Sequence, residues 1–143
     1  MALEPTPVPM SVDDIEASFE LFDDWEDKYR FVIDLGKDLP ALDEEMRSEQ
    51  HLVRGCQSQV WLITHLDNGA LQLNLDSDAH IVRGLIAIVL ATYQGKPPAE
   101  VLAYDIDALF ERLALLKHLS PTRGNGLRAM ITRVREAAHQ HAG

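Results

Sequence analysis

Among 143 residues there is one cysteine, Cys56. No disulfide can therefore close within the chain, and no zinc site can be built from two or more of its own thiolates. Such cysteine usage fits a reducing compartment, and the expected location is cytoplasmic. Aromatic residues make up only 6% of the chain. No window reaches the roughly 20 consecutive apolar residues that a membrane span requires. Positive charge is scarce where the chain starts: residues 1–50 hold 4 Lys and Arg against 15 Asp and Glu, whereas residues 51–143 hold 9 against 8. A chain of net charge -10 is repelled by phosphate backbones and anionic lipid headgroups, so nucleic-acid and membrane partners are not expected. The acidic first third reads as a solvated helix face or as a docking surface for a basic partner.

What remains has the composition of a folded domain, with 46% hydrophobic and 25% charged residues. The length suits a single domain with a core of its own. Met1 to Met10 has neither the basic start nor the apolar stretch of a secretory or transit sequence. Prolines at 5, 7 and 9 make residues 1–10 an extended arm, leaving 11–143 as the domain.

Ser11 and Asp14 form a capping-box pattern ahead of Val12, Ile15, Phe19 and Phe22, which recur at helical spacing. Asp23 and Asp24 offer a second N-cap, with Trp25, Tyr29, Val32, Ile33 and Leu35 on one side. Gly36 is expected to stop that helix ahead of Leu39-Pro40. Residues 41–53 lack a sustained period and read as a turn or frayed helix and then a loop. Val60 to Leu66 and Leu71 to Leu75 alternate around Asp67-Asn68-Gly69, a strong hairpin signal. A small antiparallel sheet follows, with a third strand expected near His51 to Arg54.

Ser77 and Asp78 are expected to open a helix over about 79–93 that is apolar nearly all round, and hence buried. Gly84 in its middle implies close contact, expected against the sheet. Pro97-Pro98 starts a short helix to about Ala103. Ile106, Leu109, Phe110, Leu113 and Leu116 mark another helix begun at Asp105 or Asp107. Ser120 to Gly126 reads as a loop, followed by a helix through Leu127, Met130, Ile131, Val134 and Ala138. Helices outweigh one sheet and do not alternate with strands, so the fold class is α+β: about three antiparallel strands packed against several helices.

Cys56 stands where the loop enters the first strand. Gly55 before it suits a tight approach, Arg54 is a cation able to favour the thiolate, and Gln57, Ser58 and Gln59 are poor neighbours for a core cysteine. The residues point to an exposed nucleophile. A cysteine hydrolase would also need a histidine base; His51, His65, His80 and His118 are candidates and nothing singles one out. Gly124-Asn125-Gly126 lacks the spacing of a phosphate-binding loop. His139 and His141 could hold a metal only adventitiously, so no metal site is expected.

Three motifs, Gly-Cys-Gln-Ser-Gln-Val-Trp at 55–61, Asp-Ser-Asp-Ala at 76–79 leading into Ile-Val-Arg-Gly-Leu-Ile-Ala at 81–87, and His-Leu-Ser-Pro-Thr-Arg-Gly-Asn-Gly-Leu at 118–127, together resemble the SufE family of sulfur acceptors. The resemblance runs from about Ser11 to Ala138 and implies a SufE/IscU-like fold. It further implies a sulfur carrier rather than an enzyme, with Cys56 accepting persulfide sulfur from a SufS-type cysteine desulfurase and passing it to the SufBCD scaffold for iron–sulfur cluster assembly. No cofactor of its own is implied, pyridoxal phosphate belonging to the desulfurase. By the same analogy Arg54, Gly55, Gln57, Asp78 and Arg123 support the cysteine loop. A CsdE-type acceptor serving a CsdA-type desulfurase, and a docking or regulatory module in which Cys56 is incidental, stand as alternatives.

Overall fold

In the computed structural model, which describes residues 4–55 and 58–142, the Ser11 hydroxyl accepts from the Asp14 amide and the Asp24 carboxylate from the Asp27 amide. These caps start α1 (Val12–Leu21) and α2 (Trp25–Lys37) where the sequence pattern places them. After a single 3-10 turn at Glu49–His51 come β1 (Val60–Asp67) and β2 (Ala70–Ser77). They pair antiparallel from Val60 opposite Ser77 to Asp67 opposite Ala70. Asn68 and Gly69, at φ of 52° and 80°, make the expected tight turn. The remaining helices are α3 (His80–Tyr93), α4 (Pro98–Ala103), α5 (Ile106–Leu113), α6 (Leu115–His118) and α7 (Pro121–Ala142).

The result is α+β, with a two-stranded sheet among the described residues. In place of a third strand near 51–54 there is one bridge, Leu52 to Trp61. The other side of β2 is occupied by several groups. Lys96 takes the Leu71 amide, the Gln94 side chain takes both backbone groups of Leu73, and Thr6, itself buried, bonds Leu73 and Leu75.

α3 is the central element. Ile86, Ala87, Val89 and Leu90 are wholly buried beside Leu71, Leu73 and Leu75 of β2. The expectation that Gly84 faces the sheet is corrected: its missing side chain lies against α2. A methyl group there would overlap the Val32 carbonyl, and one at Gly36 would stand 2.5 Å from the Gly84 amide nitrogen. Gly36 is accordingly not a helix stop. It sits inside α2, which runs on to Lys37, and the two glycines let the helix backbones touch.

A second correction concerns residues 120–126: 121–126 are helix, not loop, and Ser120 stands just before its start. The Ser120 hydroxyl accepts from the Arg123 amide, the Ser120 carbonyl accepts from Gly124, and Pro121 takes the first helical position, where no N–H is needed. Two glycines in the first turns masked a complete start signal. No described helix is long and apolar enough to cross a membrane.

Near the end of β2, Asp76 is 2% exposed and fully engaged. Its Oδ1 lies 2.5 Å from Arg83 Nη1 and 2.8 Å from the Ser77 amide, and its Oδ2 accepts from the Leu42 amide at 2.9 Å. Arg83 also reaches the Gly36 and Leu39 carbonyls.

Two substitutions test this packing in urea denaturation. Gly84→Ala should cost at least about 2–3 kcal/mol from backbone overlap, whereas Gly124→Ala in α7, whose added carbon meets only Leu116 Cδ2 at 3.7 Å, should stabilise by about 0.5–1 kcal/mol. Asp76→Ala should cost about 3–5 kcal/mol, since it strands the Arg83 charge in a partly buried setting.

Candidate functional site

Cys56 and Gln57, the expected acceptor and its neighbour, lie outside the described residues, and the site is defined by what holds the chain on either side of them. Upstream, the Val53 amide donates to the Val60 carbonyl at 2.8 Å, Leu52 bridges Trp61, and Arg133 of α7 donates to the Leu52 carbonyl. Downstream, Gln59 is bound through both backbone groups by residues 77 and 78. Its amide donates to Asp78 Oδ1 at 3.0 Å, and its carbonyl accepts from Ser77 Oγ at 2.7 Å and from the Asp78 amide at 3.3 Å. The chain is thus held at Leu52–Val53 on one side of the cysteine and at Gln59 on the other.

Gly55 has φ of +92°, and a side chain there would approach Ala129 of α7. Glycine is needed for the backbone angle, since the space itself is ordinary. Arg54 is exposed, its guanidinium 3.8 Å from Glu49. Half-buried Ser58 lines a pocket with Val60, Val82, Leu85, Leu127 and Met130. Thr122, Arg123 and Gly126 also line it. Arg123 therefore shares a pocket with Ser58, two residues after the cysteine, although it stands on the first turn of α7.

Asp78 is exposed and contacts the stem, but it does not open α3. The cap residue is Ala79, and the Asp78 carboxylate is spent on Gln59. Of the expected supports, Gly55, Asp78 and Arg123 converge on the two ends of the cysteine segment; Arg54 flanks it and pairs away from it. Ser77 was read only as part of a helix start, and its bond to Gln59 has no local sequence signal because the partner is 18 residues away.

No histidine lines this pocket. His118 stacks on Trp25 at 3.9 Å between ring centroids and bonds the Ala114 carbonyl, while His51 Nδ1 lies 3.0 Å from both the Met46 carbonyl and the Ser48 hydroxyl. Both rings are committed locally. Among the described residues no group of three or more His, Cys, Asp or Glu is placed to hold a metal ion.

The arrangement defines a class: a small α+β domain whose lone cysteine falls in a short stretch held at Val53 and at Gln59, with an apolar pocket lined by Ser58 and Val60 just after it in sequence. Comparison with known proteins narrows it. The family model described as SufE, Fe-S metabolism associated domain, matches residues 13–138, and the chain belongs to that family. It is 52% identical over 136 residues to an uncharacterized SufE-like protein of Rhizobium etli, covering 92% of each chain. It is 48% identical over 132 residues to another from Rhizobium meliloti, covering 90% of this chain and 94% of that one. The solution structure of a hypothetical protein from Thermus thermophilus superposes with a TM-score of 0.73 at 17% identity, covering 95% of this chain and 98% of that one, and so shares the fold.

Gly55→Ala tests the bracing. Forcing φ of +92° on alanine should destabilise the protein by about 1–3 kcal/mol in denaturant titration. The Val53 amide should also exchange faster with solvent.

Proposed function

We propose that the protein is a sulfur carrier: Cys56 takes sulfane sulfur from a SufS-type, pyridoxal-phosphate-dependent cysteine desulfurase and delivers it to the SufBCD scaffold for iron–sulfur cluster assembly. What supports this reading is that the chain belongs to the SufE family and that its lone cysteine falls, in sequence, between two anchored residues, Val53 and Gln59. A thiol at the tip of such a segment can enter another protein's pocket while its stems stay in register.

In the transfer step the Cys56 thiolate attacks the terminal sulfur of the desulfurase persulfide. The S–S bond to the desulfurase cysteine breaks, that cysteine leaves as thiolate, and a new S–S bond forms at Cys56; the terminal sulfur's proton travels with it. No external oxidant or reductant enters. Removing the persulfide frees the desulfurase for its next turnover, so the carrier stimulates it. Having one cysteine is useful here, because a second thiol nearby could attack the new persulfide and release its sulfur. The carrier needs no cofactor for this and works in the cytoplasm, where thiols stay reduced.

Incubation with a SufS-type desulfurase and cysteine should add about 32 Da per sulfur to Cys56 by intact-mass spectrometry under anaerobic conditions. Cys56→Ser should abolish both the added mass and the stimulation. Full stimulation by that variant would instead identify a docking module, and transfer only from a CsdA-type enzyme would move the carrier to that partner.

A further inference from the structure

Gln59 is where the cysteine segment re-enters the sheet. A residue has only two soft backbone dihedrals, and they are fixed when the peptide planes on both sides are held. The plane before Gln59 is held through its amide by Asp78 Oδ1; the plane after it is held through its carbonyl by Ser77 Oγ and the Asp78 amide. These contacts differ in quality. Asp78 is exposed, and its grip competes with water, whereas Ser77 is 4% exposed and makes the shorter bond, 2.7 Å against 3.3 Å, to the carbonyl.

The Ser77 hydroxyl is itself aimed. It donates to Gln59 and accepts from the Ala79 amide at 3.2 Å, and the Ser77 amide donates to Asp76 Oδ1, which Arg83 fixes. We propose that Ser77 is a positioning residue for sulfur acceptance, its buried hydroxyl setting the direction in which the chain runs from β1 back to Cys56. This rests on the reading of Cys56 as the acceptor.

Chain length makes the control matter. Residue 56 lies three residues from Gln59, at most about 10 Å of extended chain, so a swing of about 20° at Gln59 moves the thiol by roughly 3 Å. Transfer between two sulfurs needs them aligned at about 3–3.5 Å, and a misplacement of about 1 Å can cost on the order of a hundredfold. Removing the hydroxyl leaves the 3.3 Å bond in place, so the expected loss is partial.

The test compares wild type, Ser77→Ala and Ser77→Thr. With persulfide-loaded desulfurase, Ser77→Ala should lower the maximal transfer rate about tenfold and leave the half-saturating carrier concentration within about twofold, because aim is lost and docking is kept. In the isolated protein, iodoacetamide should alkylate Cys56 about threefold faster in Ser77→Ala, as the segment samples more directions. Ser77→Thr, which keeps the hydroxyl, should match wild type in both. Unchanged transfer and alkylation in Ser77→Ala would overturn the proposal, as would equal loss in both variants. Should wild type accept no sulfur, the reading of Cys56 fails by itself, and the alkylation rates still decide whether Ser77 sets its presentation: unchanged rates overturn that too.

Discussion

The fold depends on the ion pair between Asp76 and Arg83. Taking a carboxylate and a guanidinium out of water costs several kcal/mol per ion and is tolerated only when the remaining donors and acceptors are satisfied. Here they are. Asp76 accepts from Arg83, Ser77 and Leu42, and Arg83 spends its other nitrogens on the Gly36 and Leu39 carbonyls. One pair thus joins the end of β2, the first turn of α3, the end of α2 and the irregular stretch after it. The end of β2, the end of α2 and the stretch after it leave backbone groups unpaired where regular structure stops, and the pair takes up the Ser77 and Leu42 amides and the Gly36 and Leu39 carbonyls.

That network can form only because α2 and α3 touch. Arg83 precedes Gly84, and a side chain at either Gly84 or Gly36 would push the helices apart. Apart, the guanidinium loses the Gly36 and Leu39 carbonyls while remaining partly buried. The two glycines, each carrying a helix-propensity cost of about 1 kcal/mol relative to alanine, are therefore a condition for satisfying the buried charge. Packing and electrostatics are not separate contributions at this corner.

This coupling also explains what could and could not be read from the sequence. Features set by neighbours in the chain were legible: the caps at Ser11 and Asp24, the Asn68-Gly69 turn and the apolar circumference of α3. The family was equally legible, because the motif around Cys56 that carries the resemblance is a contiguous run. Features set by distant partners were not. Strict alternation puts Asp76 on a wet face, and only the arrival of Leu42 and Arg83 makes that face dry. Gly36 looked like a stop and Gly84 like a sheet contact because each finds its reason in the other helix. At 121–126 Gly124 and Gly126 suggest a loop, but the Ser120 cap and Pro121 at the first helical position are the more specific signals and the chain follows them.

In the proposed carrier, a thiol that reaches into another protein has to satisfy two demands, since free reach weakens aim and rigid aim shortens reach. The described residues suit both demands by bringing the two ends of the stretch together: the Val53 amide bonds the Val60 carbonyl, as the ends of a hairpin do. Direction is then set at Gln59 by Ser77 and Asp78, which follow directly on Asp76. The same carboxylate that gathers α2, α3 and the 36–42 backbone thereby also anchors the residues that aim the cysteine segment. The charge buried for the fold and the geometry that the proposed transfer requires share one anchor, and disturbance at Arg83 should be felt first at Gln59.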